Sequence, residues 1–113
     1  MKQVMVRYKV KTEFAAHNEE LVRRVYEELH QTAPAGIRYA TFVLEDGVSF
    51  VHLASIDSDD GQNPLMDVAA FRAFQEQIGE RCDEPPQAVN LREVGSYGLF
   101  ATVRPVAETL TSR

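Results

Sequence analysis

The sequence predicts an α+β domain of the ferredoxin-like order βαββαβ, in which a four-stranded antiparallel sheet carries both helices on one face. Three observations predict this class. Residues 3–11 alternate between apolar and polar side chains, as a strand does. The dipeptide Asp46-Gly47 separates two apolar runs, which is typical of a β-hairpin. One stretch with helical apolar spacing precedes this hairpin and another follows it.

Strand one and helix one occupy the first third of the chain. Strand one carries Val4, Val6, Tyr8 and Val10 on one face and Met5, Arg7, Lys9 and Lys11 on the other. Thr12 is a predicted N-cap, and Glu13 suits the positive end of the helix dipole. The helical stripe that follows, of about five turns, consists of Phe14, Leu21, Val25 and Leu29. Pro34 and Gly36 are expected to end the helix.

The hairpin is the clearest unit of the sequence. Asp46-Gly47 predicts a two-residue type I′ turn between residues 37–44 and 48–56. Counting outward from the turn pairs Val43 with Phe50 and Thr41 with His52. One face therefore collects Ala40, Phe42, Leu44, Val51 and Leu53, and the other collects Tyr39, Thr41, Val43, Phe50, His52 and Ala54. Neither face is polar, so both need cover.

Helix two and the last strand complete the order. The helical stripe from Leu65 consists of Val68, Phe71, Phe74 and Ile78. Pro85-Pro86 ends any helix before it. Residues 87–98 are predicted to form the last strand, with Gly95 as a bulge. Val89 and Leu91 fall on one side of that strand, and Ala88 and Asn90 fall on the other.

Two helices cover only one face of such a sheet. The open face is predicted to hold Met5, Arg7, Tyr39, Thr41, Val43, Phe50, His52 and Ala54. Leaving these apolar side chains in water would be unfavourable by about 25 cal/mol per Å². We therefore expect a second copy to pack sheet against sheet in a twofold-symmetric homodimer, a dimeric α/β barrel.

Composition limits the classes of protein that the chain can represent. Its 113 residues fit one domain, predicted over residues 1–100, with residues 101–113 as a tail that is flexible or ordered by a dimer partner. The 17 acidic residues against 12 basic residues disfavour a nucleic-acid partner. No apolar run reaches the roughly 18 residues of a membrane helix, and no secretory signal is recognisable. With Cys82 as the single cysteine, we expect a cytoplasmic protein without a disulfide.

Two short segments, taken with the element order, resemble a known superfamily. They are Ala35-Gly36-Ile37-Arg38-Tyr39 at the start of strand two and Ala69-Ala70-Phe71-Arg72-Ala73-Phe74 in helix two. Over residues 1–98 the chain resembles the dimeric α/β-barrel superfamily, and within it the antibiotic biosynthesis monooxygenase-like domain. The resemblance implies a cofactor-independent oxidoreductase that positions and deprotonates a small aromatic or oxygenated compound, a phenol, which then reacts directly with oxygen.

The alternative is a non-catalytic homodimer that binds a small ligand or serves as a stress-associated partner. It stays open because fold alone does not set function. The chain also lacks the tryptophan, and the histidine in helix two, that many oxygenases of the superfamily carry. A cavity of about 300 Å³ or more with His52 at its wall would favour ligand chemistry. A sheet interface filled by Val43, Phe50 and Tyr39 would favour the structural alternative.

His52 is the predicted catalytic residue, because an imidazole in mid-strand can act as a base near neutral pH. Its structural alternative is a hydrogen bond to Thr41 or across the dimer. Four residues are predicted to bind substrate: Arg7, Tyr39, Thr41 and Phe50. Arg7 would lend positive charge to an anionic ligand, and Tyr39 would use its hydroxyl.

No metal site or cofactor is predicted. His17, His30 and His52 are scattered without the spacing of metal ligands. Haem binding would require His52 or His17 as an axial ligand. We therefore expect a small apolar or aromatic molecule as the ligand, and neither a nucleic acid nor a membrane as a partner.

Overall fold

A computed structural model describes residues 2–58 and 60–99, and these form four strands and three helices. Their order is β1 (Lys2–Val10), α1 (Ala15–Thr32), β2 (Ile37–Val43), β3 (Ser49–Ile56), α2 (Ala69–Gln75), α3 (Ile78–Arg81) and β4 (Cys82–Leu91). The antiparallel sheet has the strand order β2-β3-β1-β4. The predicted ferredoxin-like α+β class is confirmed, the predicted dimer stays a prediction, and the predicted tail over residues 101–113 lies outside the described residues.

Helix α1 has the predicted length, but its start differs from the prediction. A 3₁₀ turn at Thr12–Phe14 comes first, and the α-helix then runs for 18 residues. Thr12 is therefore not the N-cap. Phe14 occupies that position without a side-chain hydrogen bond. The buried side of the helix carries Leu21 and Val25, as the stripe predicts.

The hairpin register is confirmed, whereas the predicted turn type is wrong. Val43 pairs with Phe50 and Thr41 with His52. Gly47 has a φ of 78°, but Asp46 keeps a negative φ, so the turn is not of type I′. The reason is the Asp46 carboxylate, which accepts hydrogen bonds from the backbone N–H groups of Val48 and Ser49, each at 2.9 Å. These bonds form an Asx turn that competes with the type I′ geometry.

The single helix predicted from Leu65 is wrong, because the chain breaks it twice. Pro64–Asp67 forms a separate 3₁₀ turn. Helix α2 ends at Gln75, and Gln77 takes a left-handed φ of 58° before α3 begins. At this second break the side chain of Arg81 donates hydrogen bonds to the carbonyl oxygens of Phe74, at 2.7 Å, and Glu76, at 3.0 Å. Arg81 therefore closes the gap between the two helices.

Strand β4 starts five residues earlier than predicted and ends at Leu91, so Gly95 lies beyond it. Pro85 and Pro86 lie within this strand. The sheet accepts them because β4 is an edge strand with register shifts against β1. The predicted faces of the strand are confirmed, since Val89 pairs with Met5 and Ala88 pairs with Val6.

The two predicted groups of hairpin residues are confirmed, but the prediction that the group with His52 forms the open face is wrong, because that face turns toward the helices. Strand β1 pairs Val6 with His52 and Tyr8 with Phe50, and these side chains lie in or against the core under α1 and α2. Both faces of the hairpin are apolar, so the hairpin alone does not tell which one the helices cover. Strand β1 determines which hairpin face the helices cover, because its larger apolar side chains lie on the same face as His52 and pack into the core.

The opposite face of the sheet has no described helix packed on it, and it combines an apolar patch with the polar side chains of Gln3, Arg7, Arg38, Ser55 and Gln87. It carries Met5, Ala40, Phe42, Val51, Leu53, Val89 and Leu91. Phe42 is 50% exposed and Val89 is 46% exposed. No helix in the described ranges is both long enough and apolar enough to cross a membrane.

Candidate functional site

A cavity of about 960 Å³ lies between the inner face of the sheet and helix α2. The sheet lines it with the aliphatic side chains Val4, Val6, Ala54 and Ala88. Its aromatic wall consists of Tyr8, Tyr39, His52, Phe71 and Phe74. The cavity exceeds the roughly 300 Å³ that a small-molecule site needs, and His52 lies at its wall.

His52 is held at both ring nitrogens by hydroxyl groups. Its Nε2 lies 2.8 Å from the hydroxyl oxygen of Tyr8. Its Nδ1 lies 2.5 Å from the hydroxyl oxygen of Tyr39 and 3.2 Å from Oγ1 of Thr41. His52 is 5% exposed, so these partners replace water around the ring.

The hydrogen bonds of His52 continue in both directions away from the cavity. On one side Asn18 Nδ2 donates to the Tyr8 hydroxyl at 2.9 Å, and Arg81 Nε donates to Asn18 Oδ1 at 3.3 Å. On the other side the Tyr26 hydroxyl lies 2.7 Å from Thr41 Oγ1. This His52 network joins three strands to two helices, and it fixes the orientation of the polar groups at the cavity wall.

Aromatic rings pack around the network and limit its access to water. The Phe74 ring centroid lies 5.3 Å from that of His52 and 6.1 Å from that of Tyr8. Phe71 meets Tyr39 edge-on at 6.3 Å, and Tyr26 stacks on Tyr39 at 5.4 Å. These rings provide apolar contact area for a planar ligand beside the hydroxyl groups.

Burial keeps the imidazole and the phenols of the network neutral. It lowers the pKa of His52 to about 4 and raises the pKa of Tyr26 to about 12. Burial also raises the pKa of Tyr8 and of Tyr39. At pH 7 the imidazole and the phenols of the network are therefore neutral, and the guanidinium of Arg81 is its charged group. An imidazole with so low a pKa is a weak base for a phenol, whose own pKa is about 10.

Of the five predicted site residues, the structure brings three together. His52, Tyr39 and Thr41 share hydrogen bonds in one network. Phe50 lies behind the network, where its ring stacks on Tyr8 at 5.4 Å in the core. Arg7 is exposed on the opposite face, where it pairs with Val51, so the predicted grouping of Arg7 with His52 is wrong.

Four members of the network are not among the residues that the sequence assigns to the site: Tyr8, Asn18, Tyr26 and Arg81. For Asn18 a signal exists. It lies four residues after Phe14 and three before Leu21, so it is a polar residue within the apolar stripe of helix one. Its 0% exposure matches that position. Arg81 has no comparable signal, because its role depends on a helix break that the sequence does not indicate.

The residues of the site offer little to a metal ion or to haem. Within residues 2–58 and 60–99, no three His, Cys, Asp or Glu side chains lie close enough together to hold a metal ion. Both nitrogens of His52 are hydrogen-bonded inside the fold, and His17 is exposed on α1. Neither histidine therefore presents a free nitrogen to the cavity.

Comparison with known proteins shows similarity in structure. No protein-family model matches the chain, and no curated protein matches it. Among solved structures, a Nitrosomonas europaea protein provisionally named an antibiotic biosynthesis monooxygenase has a TM-score of 0.67 at 16% identity, with 84% of this chain and 100% of that chain covered. Another antibiotic biosynthesis monooxygenase has a TM-score of 0.64 at 20% identity, covering 84% and 100%.

A third similar structure is a mutant of SnoaB, a cofactor-independent oxygenase from Streptomyces nogalater. Its TM-score is 0.62 at 13% identity, covering 86% of this chain and 96% of that chain. These similarities confirm the predicted resemblance to antibiotic biosynthesis monooxygenase-like proteins at the level of the fold. At such identities they do not establish a reaction or a substrate.

Proposed function

We propose that the chain binds one small aromatic, oxygen-bearing compound in its cavity and oxidises it as a cofactor-independent, monooxygenase-like enzyme. The observation that carries this proposal is the cavity of about 960 Å³, in which aromatic and aliphatic side chains lie beside the hydroxyl and imidazole groups of Tyr8, Tyr39 and His52. Further polar residues also line the cavity: Lys2, Asp57, Ser58, Asn63, Gln75 and Asn90. The structural similarity to a cofactor-independent oxygenase supports it. The cytoplasmic location expected from the single free cysteine, Cys82, belongs to the same proposal.

The reaction that fits this site needs only the phenol and O₂. A phenol with a free ring carbon gives up four electrons: one oxygen atom of O₂ becomes the new quinone carbonyl, and the other leaves as water. For 1-naphthol the products are 1,4-naphthoquinone and one water molecule. The substrate supplies all the reducing equivalents. The phenol loses its proton to solvent as it binds, and the water that the reaction produces takes up a proton in return. The protein must bind the ring, exclude bulk water and stabilise the electron-rich phenolate that reacts with O₂.

The hydroxyl of Tyr39 is the group best placed for that stabilisation. Tyr39 lines the cavity, and its hydroxyl is hydrogen-bonded to His52 at 2.5 Å. With a pKa of about 4, His52 is a poor acceptor for the phenol proton. We therefore assign to His52 the role of holding Tyr39, and to Tyr39 the hydrogen bond to the phenolate oxygen.

Removal of the Tyr39 hydroxyl tests this assignment. The variant Tyr39→Phe keeps the ring that packs against Tyr26 and Phe71. We expect it to lower the rate of O₂ consumption with bicyclic and tricyclic phenols about 100-fold, the typical effect of losing one oxyanion donor. The measurement is O₂ uptake together with quinone absorbance, and ¹⁸O₂ labelling should place one labelled atom in the quinone.

The matched control is Tyr97→Phe, which removes the hydroxyl of a fully exposed tyrosine. We expect its rate to equal that of the unmodified chain. Equal rates for Tyr39→Phe and Tyr97→Phe would refute the role of Tyr39. The proposed function would be refuted if the wild-type protein neither binds nor oxidises any of the bicyclic and tricyclic phenols tested.

A non-catalytic ligand-binding protein is the second candidate. It is favoured by the full use of both His52 nitrogens inside the fold, which leaves no free imidazole nitrogen for chemistry. Saturable binding of a phenol without O₂ consumption would select this candidate. Both candidates use the same cavity and differ only in turnover.

We also propose that two copies associate through the open sheet face. Its central side chains, Leu53 on β3 and Met5 on β1, are paired neighbours, and Phe42 and Val89 extend the apolar surface to both sides. A second copy would remove this surface from water without any further chain.

Sedimentation at micromolar concentration is expected to show a dimer for the wild type and a monomer for Leu53→Lys, since a buried, unpaired charge at the centre of an interface is strongly unfavourable. The control Val43→Lys alters an exposed strand residue outside that surface and should stay dimeric. A monomeric wild type would contradict the proposal.

A further inference from the structure

Arg81 determines which atoms donate and which accept in the hydrogen-bond network around His52. A guanidinium group only donates hydrogen bonds, so the atom of Asn18 that faces Arg81 Nε must be the amide oxygen. The amide nitrogen of Asn18 then faces Tyr8 and donates to its hydroxyl oxygen at 2.9 Å. The orientation of the Asn18 amide group is therefore fixed by its donor on Arg81, and the Tyr8 hydroxyl accepts the hydrogen bond from Asn18.

Tyr8 has one hydroxyl hydrogen to place, and His52 Nε2 lies 2.8 Å away. If Tyr8 donates to Nε2, that nitrogen carries the lone pair and the imidazole proton lies on Nδ1. The Nδ1–H group then donates to the oxygen of Tyr39 at 2.5 Å. In this arrangement each donor from Arg81 to Tyr39 meets an acceptor.

The opposite tautomer fits the contacts less well. With the proton on Nε2, Tyr8 would accept from both Asn18 and His52, and its own hydrogen would lack a partner in the network. A buried hydroxyl left without an acceptor is unfavourable. The first arrangement instead places the Tyr39 hydrogen on Thr41, whose own hydrogen is available to Tyr26.

We infer that Asn18 and Arg81 are positioning residues that hold His52 with its proton on Nδ1, so that Tyr39 presents its hydroxyl hydrogen to the cavity. The ligand is then recognised through an acceptor oxygen, a carbonyl or a phenolate, which takes that hydrogen over from Thr41. This inference rests on the proposed ligand cavity and adds to it the chemical class of the ligand's polar group.

The first test is the tautomer of His52 without ligand. In ¹⁵N-labelled protein at pH 7, long-range ¹H–¹⁵N correlation spectra distinguish a protonated from an unprotonated imidazole nitrogen. The His52 signals are identified by their loss in His52→Gln. We expect the proton on Nδ1. A proton on Nε2 in the wild type would overturn the inference, and this measurement requires no variant at Asn18.

The second test reverses the direction of the network. In Asn18→Asp the carboxylate stays ionised beside Arg81 and can only accept, so Tyr8 must donate to it. Tyr8 then accepts from His52, whose proton moves to Nε2. If Asn18 only stabilised the fold, this substitution would leave the proton on Nδ1. A shift of the proton to Nε2 would therefore show that Asn18 sets the tautomer of His52. An unchanged tautomer in folded Asn18→Asp protein would refute the inference.

The third test concerns the ligand and uses binding alone. 1-Tetralone carries a carbonyl, and tetralin is the corresponding hydrocarbon. We expect the wild type to bind 1-tetralone about 10-fold more tightly, as one hydrogen bond provides, and Asn18→Asp to lose this preference. Equal affinities in the wild type would contradict the ligand class. Because neither compound is a phenol and no turnover is measured, absence of oxygenase activity would leave this test intact.

Discussion

Replacement of Arg81 by methionine is expected to lower the free energy of unfolding by about 3–5 kcal/mol, because three buried or half-buried acceptors lose a charged hydrogen-bond donor at roughly 1–3 kcal/mol each. Arg81 is 5% exposed and donates to two backbone carbonyls and to Asn18. Its guanidinium carbon also lies 5.4 Å from the centroid of the Phe74 ring. Methionine fills much of the volume but donates nothing. The carbonyl oxygens at the break between α2 and α3 then lose their donor.

Urea unfolding followed by far-ultraviolet circular dichroism measures the change at one fixed protein concentration, which is necessary if the chain dimerises. Arg23→Met is the matched control. Arg23 lies on the exposed side of α1 and pairs with Glu19 and Glu20. Such surface pairs contribute about 0.5 kcal/mol or less. A loss below about 1 kcal/mol for Arg81→Met would show that the helix break does not depend on Arg81.

The contrast between Arg81 and Arg23 also shows where sequence-based prediction succeeds. Local rules suffice for Arg23, whose partners lie three and four residues away on one helix. The partner of Arg81 in the network, Asn18, lies 63 residues away in sequence. No periodicity joins two such positions. The network was therefore only partly predictable, through the strand residues whose positions the hairpin register fixes.

The element order and the hairpin register were predictable because each depends on local spacing. The pairing of Thr41 with His52 follows from counting outward from residues 46 and 47, and it held although the turn type was wrong. The face of the hairpin was not predictable in this way. A one-sided strand reveals its buried face by its polar face, whereas this hairpin has no polar face. The core side is decided by Tyr8 and Val10, which are buried against the helices.

The second large expected effect is a loss of stability in mild acid, and it comes from the burial of His52. The pKa of His52 is about 4 in the folded chain, against 6.5 for an imidazole in an unfolded chain. Between these values the unfolded chain takes up a proton that the folded chain does not. The free energy of unfolding should therefore fall as pH drops from 6.5 to 4, by about 3 kcal/mol at 1.36 kcal/mol per pH unit, and then stay level with respect to this group.

The variant His52→Gln isolates this contribution, since glutamine is neutral throughout and can bond to the same tyrosines. Urea unfolding of both proteins at several pH values should give curves that converge or cross between pH 6.5 and 4. Asp46, whose pKa is lowered to about 2, loses its contribution only at lower pH and is common to both proteins. Parallel curves would mean that His52 is protonated as easily in the folded chain as in water. The neutral network at the cavity wall, and with it the proposed hydrogen bond from Tyr39 to a ligand oxygen, would then be wrong.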